Sequence, residues 1–479
     1  MAALRHALAS QIDFARLLWS RPGMMMFFLL VIEALLSATT TYLLIKTGRN
    51  VANDEFQVMD LVWILIVQST AYLVGAVSWV FGEQAGFGAY GRYMHRFAQT
   101  NRGRSLLLGE SGAREVVEPF LTGETFHIFF ELVYELESVL RLLLAVIFNA
   151  IVLGVEIDGW LSVSYVVIIA ICLGLQYALR KPVGKAYLNN QRRTNLLTAH
   201  SYTAWDNIFS GNRYNYGVWN KVFKVRLRVA LKAQIRAIVA REGLSSIGGV
   251  ISLAVVFAVT GWVAWNSRGA SATMIALAAT LPRQIELAHS VQQLAEGWND
   301  LVALWTRIGG AVQNFAPKDP ERFEARTKLV EIRLQCSEMG ELRPEDLQQA
   351  LAGVRAHGKG RVLIRGPNGS GKSSLLALMK DQLGSRAYYW PTTDRLAFSF
   401  NKRQSEGGGE AGFSAGQRQI ATLQEIVDRT TLDFYLLDEW DANLDAENRA
   451  IAEALVEQLA QRARVVEVSH RDPSVVKNH

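Results

Sequence analysis

The chain has 479 residues, half of them apolar, and a formal net charge of +6 at neutral pH. That length accommodates two or three domains and a sizeable core. Its two cysteines, Cys172 and Cys336, exclude a disulfide framework and a cysteine-built metal site as organising features.

The first 22 residues, MAALRHALASQIDFARLLWSRP, are amphipathic, with Arg5, Arg16 and Arg21 among apolar positions. The apolar run that follows is too long for the core of a cleavable signal peptide, so residues 1–22 read as an interfacial helix leading into a first span. Residues 23–317 then read as a six-helix transmembrane domain. A span needs about 20 mostly apolar residues. Runs at 24–45, 61–81, 137–155, 160–179 and 244–265 meet that need, and a sixth at 270–289 is interrupted by Pro282 and Arg283.

Orientation follows from the loops. Segment 180–242 carries thirteen Lys or Arg residues against Asp206 and Glu242, whereas the turns at 47–58 and 266–270 hold few bases, notably Arg49 and Arg268. The positive-inside rule puts 180–242 in the cytoplasm, and six spans then put both termini there. Trp19, Trp79, Trp160, Trp262 and Trp265 fall near span ends, where indole rings favour the headgroup layer. Topology accounts for the net positive charge, and a nucleic-acid partner is not expected. The long inner segments 116–137 and 200–223 are candidate contact tips for a soluble domain.

From about residue 325 to the C-terminus no span-like run occurs, and the chain reads as a compact α/β domain. GRVLIRGPNGSGKSSLLALM (360–379) has the order strand, glycine loop, helix. It fits G-x-x-x-x-G-K-[ST] at Gly366, Gly371, Lys372 and Ser373. Glycines allow a tight turn whose successive N–H groups face one anion, and the helix adds its positive end. Lys372 suits β- and γ-phosphates, and the Ser373 hydroxyl suits Mg²⁺. The expected nucleotide contacts are thus Gly366, Pro367, Asn368, Gly369, Ser370, Gly371, Lys372, Ser373 and Ser374.

Downstream, LDFYLLDEWD (432–441) reads as a buried strand that delivers Asp438 and Glu439 to the same sheet edge. Asp438 is expected to hold Mg²⁺ through water, and Glu439 to polarise the water that attacks the γ-phosphate. A third strand, RVVEVSH (464–470), ends at His470.

Together, GPNGSGKSS, FSAGQRQ, LLDEWD, ANLD and VSHR resemble the phosphate loop, signature, magnesium and base strand, dimer-contact loop and switch histidine of the ATP-binding cassette family, in the family's order. With the six spans, the resemblance is to an exporter-type half-transporter. It implies a membrane helical bundle followed by an α/β P-loop NTPase domain, ATP and Mg²⁺ as ligands, and a homodimer that clamps each ATP between two cassettes. By that likeness Ser414, Gly416 and Gln417 contact the γ-phosphate across the interface. Asn443, Leu444 and Asp445 would link the two sites, while Glu439 and His470 serve hydrolysis. The implied setting is a bacterial inner membrane, and the implied partners are a second copy of the chain, the lipid bilayer and a small transported solute.

Three features depart from the family pattern. The stretch 329–347 holds no aromatic to stack on adenine, and Met339 is the candidate replacement. No glutamine follows the strand AYYWP (387–391); Thr392, Thr393 or Asp394 stand there, and Gln404 lies further on. Only 42 positions separate Lys372 from Ser414 (414 − 372), so the helical subdomain is reduced to a segment whose glycine run reads as a linker. Direct docking of the signature helix on the inner loop tips is expected to take over its coupling surface.

Charges within the spans, namely Glu33, Glu135, Glu137, Arg141, Arg283, Glu286 and His289, are candidates to line the solute path. The FSAGQ and DEW spellings are similar to exporters of small cyclic peptides and siderophores, which points to a peptide, siderophore or amphiphilic metabolite. An importer on the same plan and an ATP-gated regulator or channel are the rival readings.

Overall fold

A computed structural model describes residues 10–317, 326–336, 340–392, 396–399, 415–442 and 444–469. It is mostly helical, with several apolar helices and a small mixed sheet near the C-terminus. Two compact units divide the chain. One holds Leu8–His95 and Thr122–Val312; the other joins Arg96–Leu121 to Gln313–His479. The boundary expected near residue 317 therefore has an exception: the chain around residue 105 groups with the C-terminal part.

The first unit opens with α1 (Gln11–Ala15), capped by Ser10, and a 3-10 turn, Arg16–Leu18. The single amphipathic helix expected over residues 1–22 is thus broken before Trp19, and residues 1–9 lie outside the described residues. Ser20 starts a fresh cap, with Pro22 in the first turn of α2 (Arg21–Ala52), so a new helix begins where residue 23 was expected to begin a span. Helices α3 (Val58–Asn101), α5 (Thr125–Glu156), α6 (Gly159–Ser201), α7 (Ala204–Phe209), α8 (Arg213–Asn266) and α9 (Ser271–Gln313) follow, while the short α4 (Ser111–Pro119) between α3 and α5 belongs to the second unit.

Five helices among the described residues are long and apolar enough to cross a membrane: α2, α3, α5, the first half of α6, and α8. The sixth expected span forms α9, which continues through Pro282, but it is not apolar enough to join the five. Only 17–33% of each apolar window is buried, so most of these apolar residues are half-buried or exposed, which suits a bundle whose solvent is hydrocarbon. The five tryptophans expected at the interface are all exposed.

Small residues let these helices approach. A Cβ on Gly154 would meet the Ser162 hydroxyl, which closes the α5–α6 hairpin. The core joins Ile45, Val146, Leu153, Tyr165, Ile168, Val256, Val263, Leu287 and Val291 from five helices.

The second unit carries β1 (Arg333–Cys336), β2 (Gly340–Leu342), α10 (Leu347–Arg355), β3 (Gly360–Arg365), α11 (Lys372–Leu383) and β4 (Ala387–Trp390). After these come α12 (Ala415–Arg429), β5 (Phe434–Asp438), α13 (Ala446–Arg462) and β6 (Arg464–Val468). The sheet order is β2-β1-β3-β6-β5-β4, with β3, β6, β5 and β4 parallel and the β1–β2 hairpin antiparallel. Both β5 and β6 are buried at every residue, which explains their near-continuous apolar sequence.

Asp438, Arg464 and Glu467 interrupt that pattern, and Glu467 lies mid-strand. Glu467 of β6, buried to 3% exposure, accepts from Arg361 Nε and Nη2 at 2.7 and 2.9 Å and from Trp440 Nε1 at 2.8 Å. Arg361 also reaches Glu453 of α13 at 2.8 Å. Burial works against the Arg361 charge, yet its hydrogen bonds to Glu467 and Glu453 raise its pKa above the ordinary guanidinium value. Arg361→Ala leaves the Glu467 charge uncompensated and should destabilise this sheet by about 3 kcal/mol or more. Adding Glu467→Leu should recover part of the loss. Denaturant unfolding followed by hydrogen exchange in β3 and β6 checks both outcomes.

Candidate functional site

The carboxyl ends of β3, β5 and β4 converge on one edge of the sheet. The chain leaves β3 into a loop in which Gly369 and Gly371 adopt φ of 82° and 89°, a left-handed conformation that favours glycine. Gly371 is constrained twice, because an added Cβ would lie 2.5 Å from the Arg326 carbonyl oxygen. Segment 326–331 thus crosses the loop, and Lys328 N donates to Ser370 O at 3.0 Å. Ser370 is fully buried.

Lys372, first in α11, bends back and donates to Gly366 O at 2.9 Å and Pro367 O at 3.1 Å. Its neighbour Ser373 donates to Asp438 Oδ1 at 3.0 Å. Thr392, just past β4, donates to Asp438 Oδ2 at 3.2 Å. Asp438 is 4% exposed and ends β5, so two hydroxyls from different elements meet one buried carboxylate. Of the residues considered for the missing-glutamine position, Thr392 is described and makes this bond; Thr393, Asp394 and Gln404 lie outside the described residues. Tyr389 stands below: burial, then the Asp438 charge, pushes its hydroxyl above the ordinary tyrosine value.

Glu439 follows Asp438 at φ 54°, rare for a side-chain-bearing residue, while its N–H donates to Val468 O at 3.0 Å. Such a backbone costs on the order of 1–3 kcal/mol and gathers at functional sites. Asp441 accepts from the Ser469 hydroxyl at 2.7 Å, which ties this turn to the end of β6. Gln419 of α12 donates to Trp440 O at 2.7 Å and fixes the helix to the same turn.

Gly416 is buried and Gln417 exposed at the start of α12. Ser414, Asn443, Met339 and His470 lie outside the described residues, as does the glycine run 407–409. Leu444 is buried, and Asp445 caps α13 through Asn448 N at 2.8 Å. The chemistry on hand is a glycine loop with Lys372, suited to an anion, set beside an oxygen cluster of Ser373, Thr392 and Asp438 suited to a hard cation.

Within this unit the chain at 101–109 packs on the α11 side of the domain. Asn101 Nδ2 donates to Phe315 O at 2.9 Å. Ser105 Oγ donates to Ala377 O at 3.4 Å, and Leu106, with Leu347 and Tyr389, packs against Ala377 and Leu378. The docked element is the 3-10 turn Ser105–Gly109, and it rests on the glycine-loop helix. Sequence reasoning named contact tips farther on, at 116–137 and 200–223, with the signature helix as their partner, and did not single out this turn. The apolar triplet LLL at 106–108 was the available signal.

The charges expected within the spans sort into groups. Arg141 bridges Glu33 and Glu137. Arg283 pairs with Glu286 at 2.6 Å and also reaches Thr41 and Asn149. Glu135 lies by Gly297, and the His289 ring meets Gln293 at 3.1 Å. No family model and no curated protein matches this chain.

Gly371→Ala should lower affinity for inorganic triphosphate by tenfold or so, since a left-handed alanine costs roughly 1–2 kcal/mol. Equilibrium binding reads this. Leu106→Asp should leave that affinity unchanged while speeding hydrogen exchange at 101–109, because only the docked turn is released.

Proposed function

We propose that the chain is an ATP-driven membrane transporter, an exporter-type half-transporter of the ATP-binding cassette kind with a shortened nucleotide domain. The observation that carries the reading is the meeting of Ser373, Thr392 and Asp438 at the carboxyl edge of parallel strands, beside a loop whose glycines adopt left-handed geometry.

In this reading Gly366, Gly369 and Gly371 turn their backbone N–H groups to the phosphates, and Lys372 exchanges its loop carbonyls for phosphate oxygens. Ser373 and Asp438 hold Mg²⁺, which supplies charge neutralisation between the phosphates. Thr392 steadies Asp438 from the β4 side. Glu439 orients the attacking water and takes its proton, and the hydrogen bond from its N–H to Val468 O keeps that carboxylate at the rim. The turn Ser105–Gly109 on α11 offers a short path between phosphate binding and the end of α3, in place of a helical subdomain. A second copy of the chain completes each site through the signature at Ser414, Gly416 and Gln417, and a small peptide, siderophore or amphiphilic metabolite is the cargo.

The test uses the full chain in sealed vesicles. Glu439→Gln should lower ATP hydrolysis 10²- to 10⁴-fold, the usual range for a lost general base, while retaining ATP binding. Lys372→Ala should lose binding itself. Equal hydrolysis by wild type and Glu439→Gln would overturn the catalytic assignment. Flux of compounds from a metabolite extract, measured in both orientations, separates export from import and from gating without net transport.

A further inference from the structure

On α2, Glu33, Ser37 and Thr41 recur every fourth residue, and on α5 Glu137, Arg141 and Asn149 follow the same spacing. Four-residue steps stack on one helix face. The two faces meet, because Arg141 bridges to Glu33, and Thr41 and Ser37 bond Asn149. A polar seam therefore runs between two of the apolar helices.

At one station of this seam, Arg141 donates through Nη1 to Glu33 Oε1 and through Nη2 to Glu137 Oε1 at 2.5 Å. The second oxygens, Glu33 Oε2 and Glu137 Oε2, are buried and have no hydrogen-bond partner among the described residues. The Glu137 side chain is only 2% exposed. Two carboxylates against one guanidinium leave one negative charge uncompensated. Arginine stays protonated in proteins, so it cannot adjust. Burying an uncompensated charge is costly, and a membrane interior offers no water to offset it.

Only a cation removes that excess, and the packing limits its size. Helix α3 lies directly on the station: a Cβ on Gly75 would fall 2.8 Å from Glu33 Oε1 and 2.9 Å from Arg141 Nη1. Two turns on, a Cβ on Gly82 would come within 3.2 Å of Met26 and Val133 and 3.8 Å of Glu137 Oε2. No organic ammonium group fits between these backbones. Among the described residues, the other charges acting on the two carboxylates come from Arg141 and, on α3, from Glu83, whose negative sign adds to the need for a cation.

We propose that Glu33 and Glu137 share a single proton around Arg141, which makes the α2–α3–α5 station a proton-binding site of the membrane half. The proton comes from solvent water, forms an O–H bond at one of the two unpartnered oxygens, and returns to water when the station opens. With it the station is neutral and α3 stays packed through Gly75 on Glu33 and Arg141; without it a net negative charge presses the helices apart. The proposal rests on the transporter reading only for the meaning of this switch. The site itself is independent of ATP.

The test is infrared difference spectroscopy of the full chain in lipid vesicles, stepped in pH without nucleotide. Wild type should show the carbonyl stretch of one protonated carboxylic acid per chain, vanishing as the pH rises. Glu137→Gln and Glu33→Gln should each abolish it, since the remaining carboxylate is then balanced by Arg141. Glu135→Gln should keep it. Absence of the band in wild type, or its persistence in both single variants, would overturn the proposal. Each variant is first checked by size-exclusion profile, and the wild-type spectrum decides alone if a variant misfolds. ATP hydrolysis measured on the same vesicles keeps the two readings apart: a titrating band with no hydrolysis refutes the transporter reading and leaves the proton site standing, and the reverse refutes the site.

Discussion

A carboxylate buried in the middle of the C-terminal sheet orders much of what surrounds it. Glu467 sits on β6, the strand between the glycine-loop strand β3 and the acid strand β5. Its oxygens hold Arg361 of β3 on one side and Trp440, just past β5, on the other. An ionised carboxylate in that position is tolerable only if its hydrogen bonds are met. The requirement fixes the Trp440 indole, and Trp440 in turn offers its carbonyl to Gln419 of α12. The turn that carries Glu439 at its unusual backbone angle is thus clamped from two directions. Asp438, one residue earlier, accepts from the Ser373 and Thr392 hydroxyls.

Much of this domain is legible from local pattern. The buried strands at 360–365, 434–438 and 464–468 are short apolar runs, and the glycine loop carries its spacing openly. Strand neighbours are harder to read, since pairing joins residues about a hundred positions apart, as Val362 and Val466 show. The Arg361–Glu467–Trp440 cluster escaped for the same reason. A lone glutamate in RVVEV looks like a solvent-facing position until its partners are brought beside it by the fold. The hydrogen bond from Thr392 to Asp438 likewise joins residues 46 positions apart and has no local signal.

The membrane-type half was legible in a different way. Hydropathy finds helices α2, α3, α5, α6 and α8 because length and composition are local properties. It understates α9, where Pro282, Arg283 and Glu286 dilute the apolar run although the helix is continuous. The first turns of the chain were read as one helix, but Ser20 and Pro22 favour a fresh start more strongly than amphipathicity favours continuity. The polar seam required knowing that α2 and α5 face each other, which no single-helix pattern reveals.

The turn at 105–109 gives the C-terminal domain a piece of surface made early in the chain. During synthesis those residues emerge well before the helix they cover, Ser105 being 272 positions ahead of its partner Ala377. Until α11 exists, Ala377 and Leu378 are not there for Leu106 to meet, and a domain produced from Arg326 onward would lack the Leu106 share of their cover. Completion of the second unit is thereby tied to prior production of α3. An early segment waits for a late one, and the order of manufacture becomes part of the architecture.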